Sequence, residues 1–576
     1  MPPPGSEVPI PPKPKTDSAA PKPDTIKPRF GRGQKVRTAD VGPQYSWNRE
    51  QLFASGALNL GELLERVPGA IMFRTGWLNS QKFIAVNGSL TSVSVYYDGI
   101  KLDNLNTRTA PVLDLNEIQL WTLEKVTVER WGTELRVHVS SWQADRTQPS
   151  TRVDVFTGDE DTNIYRGFYG KRFSNGGALQ FGGQQFNSTP PRFGGGGDAL
   201  SVLARVGIAR KRWSVDGFAN RTTSTRVIQP TFGAFGGLSI PGYQATHSLA
   251  YLRVAVGDTT GPWAQVSASG RRLNENSKRV LVAEALAQRL LADTVDTTRT
   301  EQQYNLSAGL NRAPLAVSVN ERIRRVSGVT TSDPSARVNL DWRYGLITLH
   351  AEHDGFSKKN RADALVQFTP TSSIAVTGNV SRIMSTSDAP GADPDILAAR
   401  VEGGVRLFGP WIVGGFMTRD TAILQPLRAI DTAYIAQPAG RRTGTYVGVR
   451  GPVYKSLNAD IIATQWAIAD EYRPKYQVRA ELNVNTRWLS RFPSGNFGVN
   501  AALVSDYRSS VRFPTATGDR IAESSTVFSG LLEIRILKAV ISYQVRNLAG
   551  LTYQIIPDFY MPRVINLYGV RWDFVN

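Results

Sequence analysis

Beyond Ser150 the chain falls into runs of about ten residues in which apolar and polar side chains alternate, the two-residue period of a β-strand wetted on one face and greasy on the other. In Tyr476–Trp488, Tyr476, Val478, Ala480, Leu482, Val484 and Trp488 share one face, and Gln477, Arg479, Glu481, Asn483, Asn485 and Arg487 share the other. Ile541, Tyr543 and Val545 likewise oppose Ser542, Gln544 and Arg546, and Ala399, Val401, Val405 and Leu407 oppose Arg400, Glu402 and Arg406. Soluble sandwiches alternate too, but their strands run nearer six residues than twelve. Short links such as Ser174–Gly177, Gly409-Pro410 and Leu537-Lys538 take turns with long ones such as Asn187–Asp198, Arg226–Gln244, Asn274–Thr297, Thr418–Gly440 and Tyr507–Glu523. A membrane barrel has this asymmetry, with tight turns at one rim and outward loops at the other. Counting from Thr151–Phe156 to Val564–Val575 gives about 22 antiparallel strands. Each then has about 19 residues with its connection, against the roughly 10 that a tilted spanning strand uses.

The pattern differs upstream. From Trp47 to Trp142 it is that of a compact α+β unit. In Gly56–Val67, Leu60, Leu63, Leu64 and Val67 line one helix face, and Pro68-Gly69 stops the helix. Strands are expected at Phe83–Val86, Val93–Tyr97 leading into the turn Asp98-Gly99, and Val126–Arg130, with a second short helix or turn at Glu117–Leu123. The first forty residues hold ten prolines, and eight Lys/Arg against four Asp/Glu. Such a stretch reads as an extended, disordered tether. Met1 is followed by Pro2, Pro3 and Pro4 without a basic or apolar region, so no signal peptide is expected in the chain as written. The expected organisation is a tether over residues 1–45, a small domain over 46–145 and a transmembrane barrel over 150–576.

Composition narrows the chemistry. Apolar residues make up 41% and charged residues 20%, and no apolar run approaches the ~20 residues of a spanning helix, which excludes an α-helical membrane protein. The absence of cysteine excludes disulfides, thiolate metal sites and a cysteine nucleophile. A net charge of +18 raises nucleic acid as a partner, but the arginines recur singly instead of forming a basic face, so none is expected. His350 and His353 are spaced to face opposite sides of a strand, which spoils them as a metal pair. Gly194–Gly197 reads as a loop and Asp159–Asp161 as a solvated turn. Trp121, Trp131 and Trp142 of the small domain are expected to be packing or wall contacts, and Trp488 and Trp572 to sit in an aromatic girdle. No cofactor and no enzymatic activity are expected.

A 22-stranded barrel is wide enough to need a plug. The segments LGELLERVPGAIMFRTGWLNSQKFIAVNG, VSVYYDGIKLDN and LDLNEIQLWTLEKVTVERWGT resemble the plug of TonB-dependent outer-membrane receptors, and the terminal VRNLAGLTYQIIPDFYMPRVINLYGVRWDFVN is similar to that family's closing hairpin. The chain departs from the pattern at Val86-Asn87-Gly88, at Trp131-Gly132-Thr133 and at its end, where Val575-Asn576 follow Phe574. The resemblance implies an N-terminal plug within the barrel lumen, an outer-membrane location in contact with lipid and lipopolysaccharide, and import of a scarce solute such as a ferric siderophore or similar anion. It implies a TonB-type energising partner engaging the tether at Asp24, Thr25 and Ile26. It places the ligand at the plug apex, with Arg74, Trp77, Asn79, Gln81 and Arg108 as candidates. The competing expectation is a structural or docking plug-barrel protein without energised transport.

Overall fold

The computed structural model describes residues 24–33, 36–76, 78–86, 92–106, 112–189, 196–227, 229–230, 239–240, 242–276, 296–386, 395–420, 423–424, 434–435, 437–438, 440–468 and 471–575. Its dominant element is a closed antiparallel barrel of 22 strands, beginning at Ser150–Gly158 and ending at Ile565–Val575, which pair with each other to seal it. The alternation seen in the sequence is the division between lumen and lipid. Along Gly197–Ala209, Ser201, Leu203 and Arg205 are buried inside, while Leu200, Val202 and Val206 stand out at 57%, 49% and 62% exposure. Arg479 and Glu481 point inward from Tyr476–Thr486 and Leu482 outward. Trp488 lies just past that strand, exposed, with φ +46°.

The plug is a five-stranded mixed sheet carrying two short helices and a separate hairpin. Asn48 caps the helix α1 (Arg49–Ala54) by a reciprocal bond with Gln51, a capping box that satisfies two orphan amides at once. Asn59 caps α2 (Leu60–Leu64), whose Leu60, Leu63 and Leu64 are fully buried. Gly69, at φ +79°, turns the chain into the hairpin β2 (Ala70–Arg74) and β3 (Lys82–Val86). The sheet proper comprises β1 (Ser46–Asn48), β4 (Val93–Tyr97), β5 (Ile100–Lys101), β6 (Leu123–Arg130) and β7 (Leu135–Ser141), in the order β1-β6-β7-β4-β5. Asp98 and Gly99 both take positive φ, the geometry that suits an Asp-Gly pair to a two-residue hairpin. The stretch Glu117–Leu123 contains a single 3₁₀ turn, Leu120–Thr122, and begins at the last residue of another, Leu115–Glu117. Trp121, Trp131 and Trp142 are buried.

Plug and barrel share an apolar core that reaches the wall residues Phe168, Leu203, Phe218, Tyr251 and Trp466, and buried charge pairs cross the same interface. Arg130 of β6 donates from Nη1 to Asp40 (3.1 Å) and to Glu402 of the barrel wall (2.8 Å), and from Nη2 to the Tyr446 hydroxyl (2.8 Å). Arg136 of β7 reaches Asp363 at 3.0 Å, and Asp98 faces Arg205 at 3.3 Å. Upstream, residues 24–33 and 36–45, assigned from composition to the tether, run along the barrel's inner wall at the rim of tight turns. Phe30 packs on Ala178 and Ala209, with the Arg172 guanidinium 4.6 Å from its ring centre. Arg32 donates to the carbonyls of Gly257, Arg210 and Lys211, and Val41 is fully buried beside Ala375 and Val413. A few apolar and arginine anchors override the extended, Pro-rich composition there.

Candidate functional site

The β2–β3 hairpin points toward the rim of long loops. Ile71, Phe73, Phe83 and Ala85 form one apolar cluster with Tyr434, Tyr472, Val511, Phe513, Ile555, Ile556, Phe559 and Met561 of the outer loops. Phe73 meets Phe513 edge to face at 6.4 Å. This contact covers one side of the mouth with side chains that owe their association to water exclusion and little to hydrogen bonding.

Beside that cluster, between α2, Arg74 and the outer halves of the barrel strands, lies a cavity of about 110 Å³ lined by six arginines (Arg66, Arg74, Arg479, Arg508, Arg546, Arg563) against three carboxylates (Glu62, Glu65, Asp506). Glu62 is the hub. It accepts from Arg546 at 2.8 Å and from the Leu58 amide at 3.0 Å, with Arg74 at 3.6 Å. Burial opposes its charge, but Arg546 and Arg74 outweigh that and hold its carboxyl down at about 2. Glu65, less well served, is pushed above the usual carboxylate range by burial. Arg74 is the least satisfied member, because its buried Nε and Nη1 donate no hydrogen bond, whereas Arg66, Arg479 and Arg546 each leave only Nε unbonded. An unsatisfied guanidinium facing a polar cavity is placed to receive an anion.

The other apex residues lie elsewhere. Asn79 and Gln81 line a second cavity of about 130 Å³ with Asn106, Asp114, Asn116, Glu117, Arg226, Tyr243 and His247. Asn79 donates to the Gly197 carbonyl at 2.8 Å, and Thr75 and Gln229 bond reciprocally, pinning the apex loop to the barrel's outer end. Lys82 braces the same loop from inside, its Nζ donating to the carbonyls of Leu78 (2.7 Å) and Ser80 (3.1 Å) and to Asn116 (3.1 Å). Burial pushes its ammonium down to about 7. The structure therefore separates Arg74 from Asn79 and Gln81. Trp77 and Arg108 lie outside the described residues. The barrel arginines at 479, 508 and 546 were not named as site residues from sequence. Two of them stood on predicted lumen faces, but only the fold shows which lumen positions meet Arg74.

At the opposite rim, Asp24, Thr25 and Ile26 run extended against residues 145–148. Asp24 pairs with Arg146 at 2.8 Å, the Thr25 amide donates to Thr147 Oγ1 at 2.9 Å, and Ile26 forms an antiparallel bridge with Arg146 while remaining 68% exposed. His350 faces the lumen beside Asp363, whereas His353 bonds Asn360 on the outer face.

The geometry defines a class: an outer-membrane β-barrel whose lumen is filled by its own N-terminal domain. Residues 40–135 match the family model described as TonB-dependent Receptor Plug Domain, so the fold is that of a TonB-dependent receptor, plug and barrel together. Solved structures agree along nearly the whole chain. The FrpB iron transporter from Neisseria meningitidis superposes with a TM-score of 0.70 at 11% identity, covering 94% of this chain and 100% of its own. A mutant of the ferric enterobactin receptor from Pseudomonas aeruginosa superposes with a TM-score of 0.68 at 9% identity, covering 92% and 98%. No curated protein matches the sequence significantly.

Proposed function

We propose that the protein is an energised importer of a scarce anionic solute, a ferric chelate being the leading class. The observation that carries this reading is the arginine-lined cavity behind the apolar mouth, with six guanidinium groups to three carboxylates and two nitrogens of Arg74 without a hydrogen bond. The two structural neighbours bear names of iron transport and ferric enterobactin reception, which supports the same ligand class. In this reading the solute displaces the outer loops from the β2–β3 hairpin, its acidic groups pair with Arg74 and its barrel neighbours, and a TonB-type protein grips the extended segment at Asp24–Ile26 to draw the plug aside. The outer wall meanwhile rests in lipid and lipopolysaccharide. Titrating the detergent-folded protein with ferric catecholate, hydroxamate and carboxylate chelates tests the ligand class. One of the three should bind, and Arg74→Ala should weaken it about tenfold or more, as loss of a charge-assisted contact predicts. Absence of binding by any chelate, or binding indifferent to Arg74→Ala, would reject it.

A further inference from the structure

The outside of the barrel is grooved at mid-height. Across the strands Pro262–Asn276, Asp296–Arg312, Leu315–Val326, Val329–Trp342, Gly345–Asp354 and Lys359–Thr371, the register aligns Ala264 with Ala308, Ala308 with Val319, Val319 with Ala336, Ala336 with Ala351 and Ala351 with Ala362. This row of small side chains, about 24 Å long at 4.8 Å per strand, floors a groove of about 880 Å³. Its lower bank is apolar, with Leu310, Val317, Val338 and Leu349 in the next row toward the tight turns. The upper bank is not. There Glu321 stands opposite Pro334 and His353 opposite Asn360, while Ser335 opposite Glu352 sets Pro334 beside His353 in the same row.

Glu321 lies six residues up its strand from Leu315. At 3.3 Å per residue and a tilt near 40°, that is about 15 Å, inside an apolar band ~25 Å tall. The neighbouring Arg322 and Arg324 turn into the lumen, where Asp333 and Asp103 hold them. The Glu321 carboxylate accepts from Ser332 Oγ at 2.6 Å and makes no ion pair among the described residues. A carboxyl at that depth is costly unless something in the membrane completes its bonding. His353 is in the same position. Its Nδ1 lies 2.7 Å from Asn360 Oδ1, an acceptor that fixes the proton on Nδ1, and its Nε2 has no partner among the described residues. Within one chain the two groups are kept apart, because Pro334 lies between them and two strand spacings separate their backbones by about 10 Å.

A second copy supplies what each lacks. Val329–Trp342 is the middle strand of the seven that line the groove. A two-fold axis along the membrane normal through its Pro334 exchanges left and right at equal height, so the strand of Glu321 faces the strand of His353, and does so twice. The tilt of the row leaves the two residues about 6 Å apart in height, a gap that two such side chains span. One proton shared between the carboxylate and Nε2 then serves both groups. The alanine floor lets the two walls approach closely, as small residues do between membrane helices. Acyl chains in the groove would leave both polar groups unserved.

We propose that this face joins two copies of the chain in the membrane about an axis at Pro334, with Glu321 of each copy bonded to His353 of the partner subunit. The pairing is independent of import. The chain has no cysteine, so one introduced thiol reports its own neighbour. Full-length Pro334→Cys, its fold confirmed by heat-modifiable mobility, is reconstituted in vesicles of uncharged lipid over a range of protein-to-lipid ratios and oxidised with copper–phenanthroline, and linked dimer is counted on a non-reducing gel. Pro334→Cys should link, whereas Ile541→Cys, 50% exposed on the far side of the barrel, should not. If Pro334→Cys does not fold, Ala336→Cys with a short bismaleimide reads the same interface. In the Pro334→Cys background, Glu321→Ala or His353→Ala removes both symmetric contacts and should weaken association about a hundredfold, at about tenfold per charge-assisted bond. Exchanging the pair, Glu321→His with His353→Glu, should restore linking, which a merely structural role would not do. Absence of linking at Pro334 and Ala336, equal linking from Ile541→Cys, linking indifferent to Glu321→Ala and His353→Ala, or no restoration by the exchange would each overturn the proposal, and the first would leave the groove to lipid.

Discussion

Arg130 is the residue whose loss should most weaken the attachment of plug to barrel. Its guanidinium is buried with Asp40 and Glu402, at 3.1 and 2.8 Å, and donates to Tyr446. Arg130→Met keeps the volume and removes the charge, leaving Asp40 without its partner, while Glu402 retains Arg400 at 3.1 Å and the Tyr446 hydroxyl. Breaking a buried pair from one side costs about 3–5 kcal/mol, mostly the penalty on the orphaned charge. With Arg400 still on Glu402, the low end applies, about 3 kcal/mol, or roughly a hundredfold more plug opening. Protease cleavage of the plug in native detergent, at concentrations where cleavage follows the open population, reads this quantity directly. Asp40→Asn removes the charge that Arg130→Met would strand, so the double variant should be at least about 1 kcal/mol better than additive. Arg130→Lys should not restore the wild-type rate, because a single ammonium cannot span Asp40, Glu402 and Tyr446 as the planar fork does. Additivity within about 0.5 kcal/mol, or an Arg130→Met effect below about 1 kcal/mol, would refute the idea that this network holds the plug.

Three further perturbations follow from the same contacts. Glu62 has its carboxyl held at about 2 against an ordinary 4.5, so its contribution is present in full above about pH 5 and is lost as pH falls toward 2; the plug-stability advantage of wild type over Glu62→Gln, of the order of 3 kcal/mol at pH 7, should vanish over that window. Arg32→Ala removes the donor to three turn carbonyls and should raise amide exchange across residues 27–33 at least about tenfold without changing exchange in β6 or β7, as hydrogen–deuterium exchange can show. Gly132→Ala would drive a methyl to 2.8 Å from the Ala398 carbonyl of the barrel wall and should raise plug cleavage, whereas Gly99→Ala, with nothing near its Cβ but φ +90°, should act through backbone strain alone.

The barrel was legible because each strand lies between two solvents, so that Leu200, Val202 and Val206 had to alternate with Ser201, Leu203 and Arg205. The α2 stripe and the Asp98-Gly99 turn were legible for equally local reasons. What lay hidden is long range. Glu62 meets Arg546 across 484 residues, and nothing local to either names the other. The docking of residues 24–33 and 36–45 was hidden for a different reason: composition averages over Pro and Lys, whereas the structure hangs on Phe30, Arg32 and Val41. Asn48 and Gln51 had the spacing of a capping box, yet the helix they open is a turn and a half, too short to show a period.

In the proposed import mechanism an energising protein acts through the N-terminal segment. The direct measurement is binding of a TonB C-terminal domain to the detergent-folded full chain and to one lacking residues 1–40, with heat-modifiable mobility confirming that both barrels are folded. The full chain should bind, and binding should be lost with the segment. Binding by neither form, or equal binding by both, would contradict it.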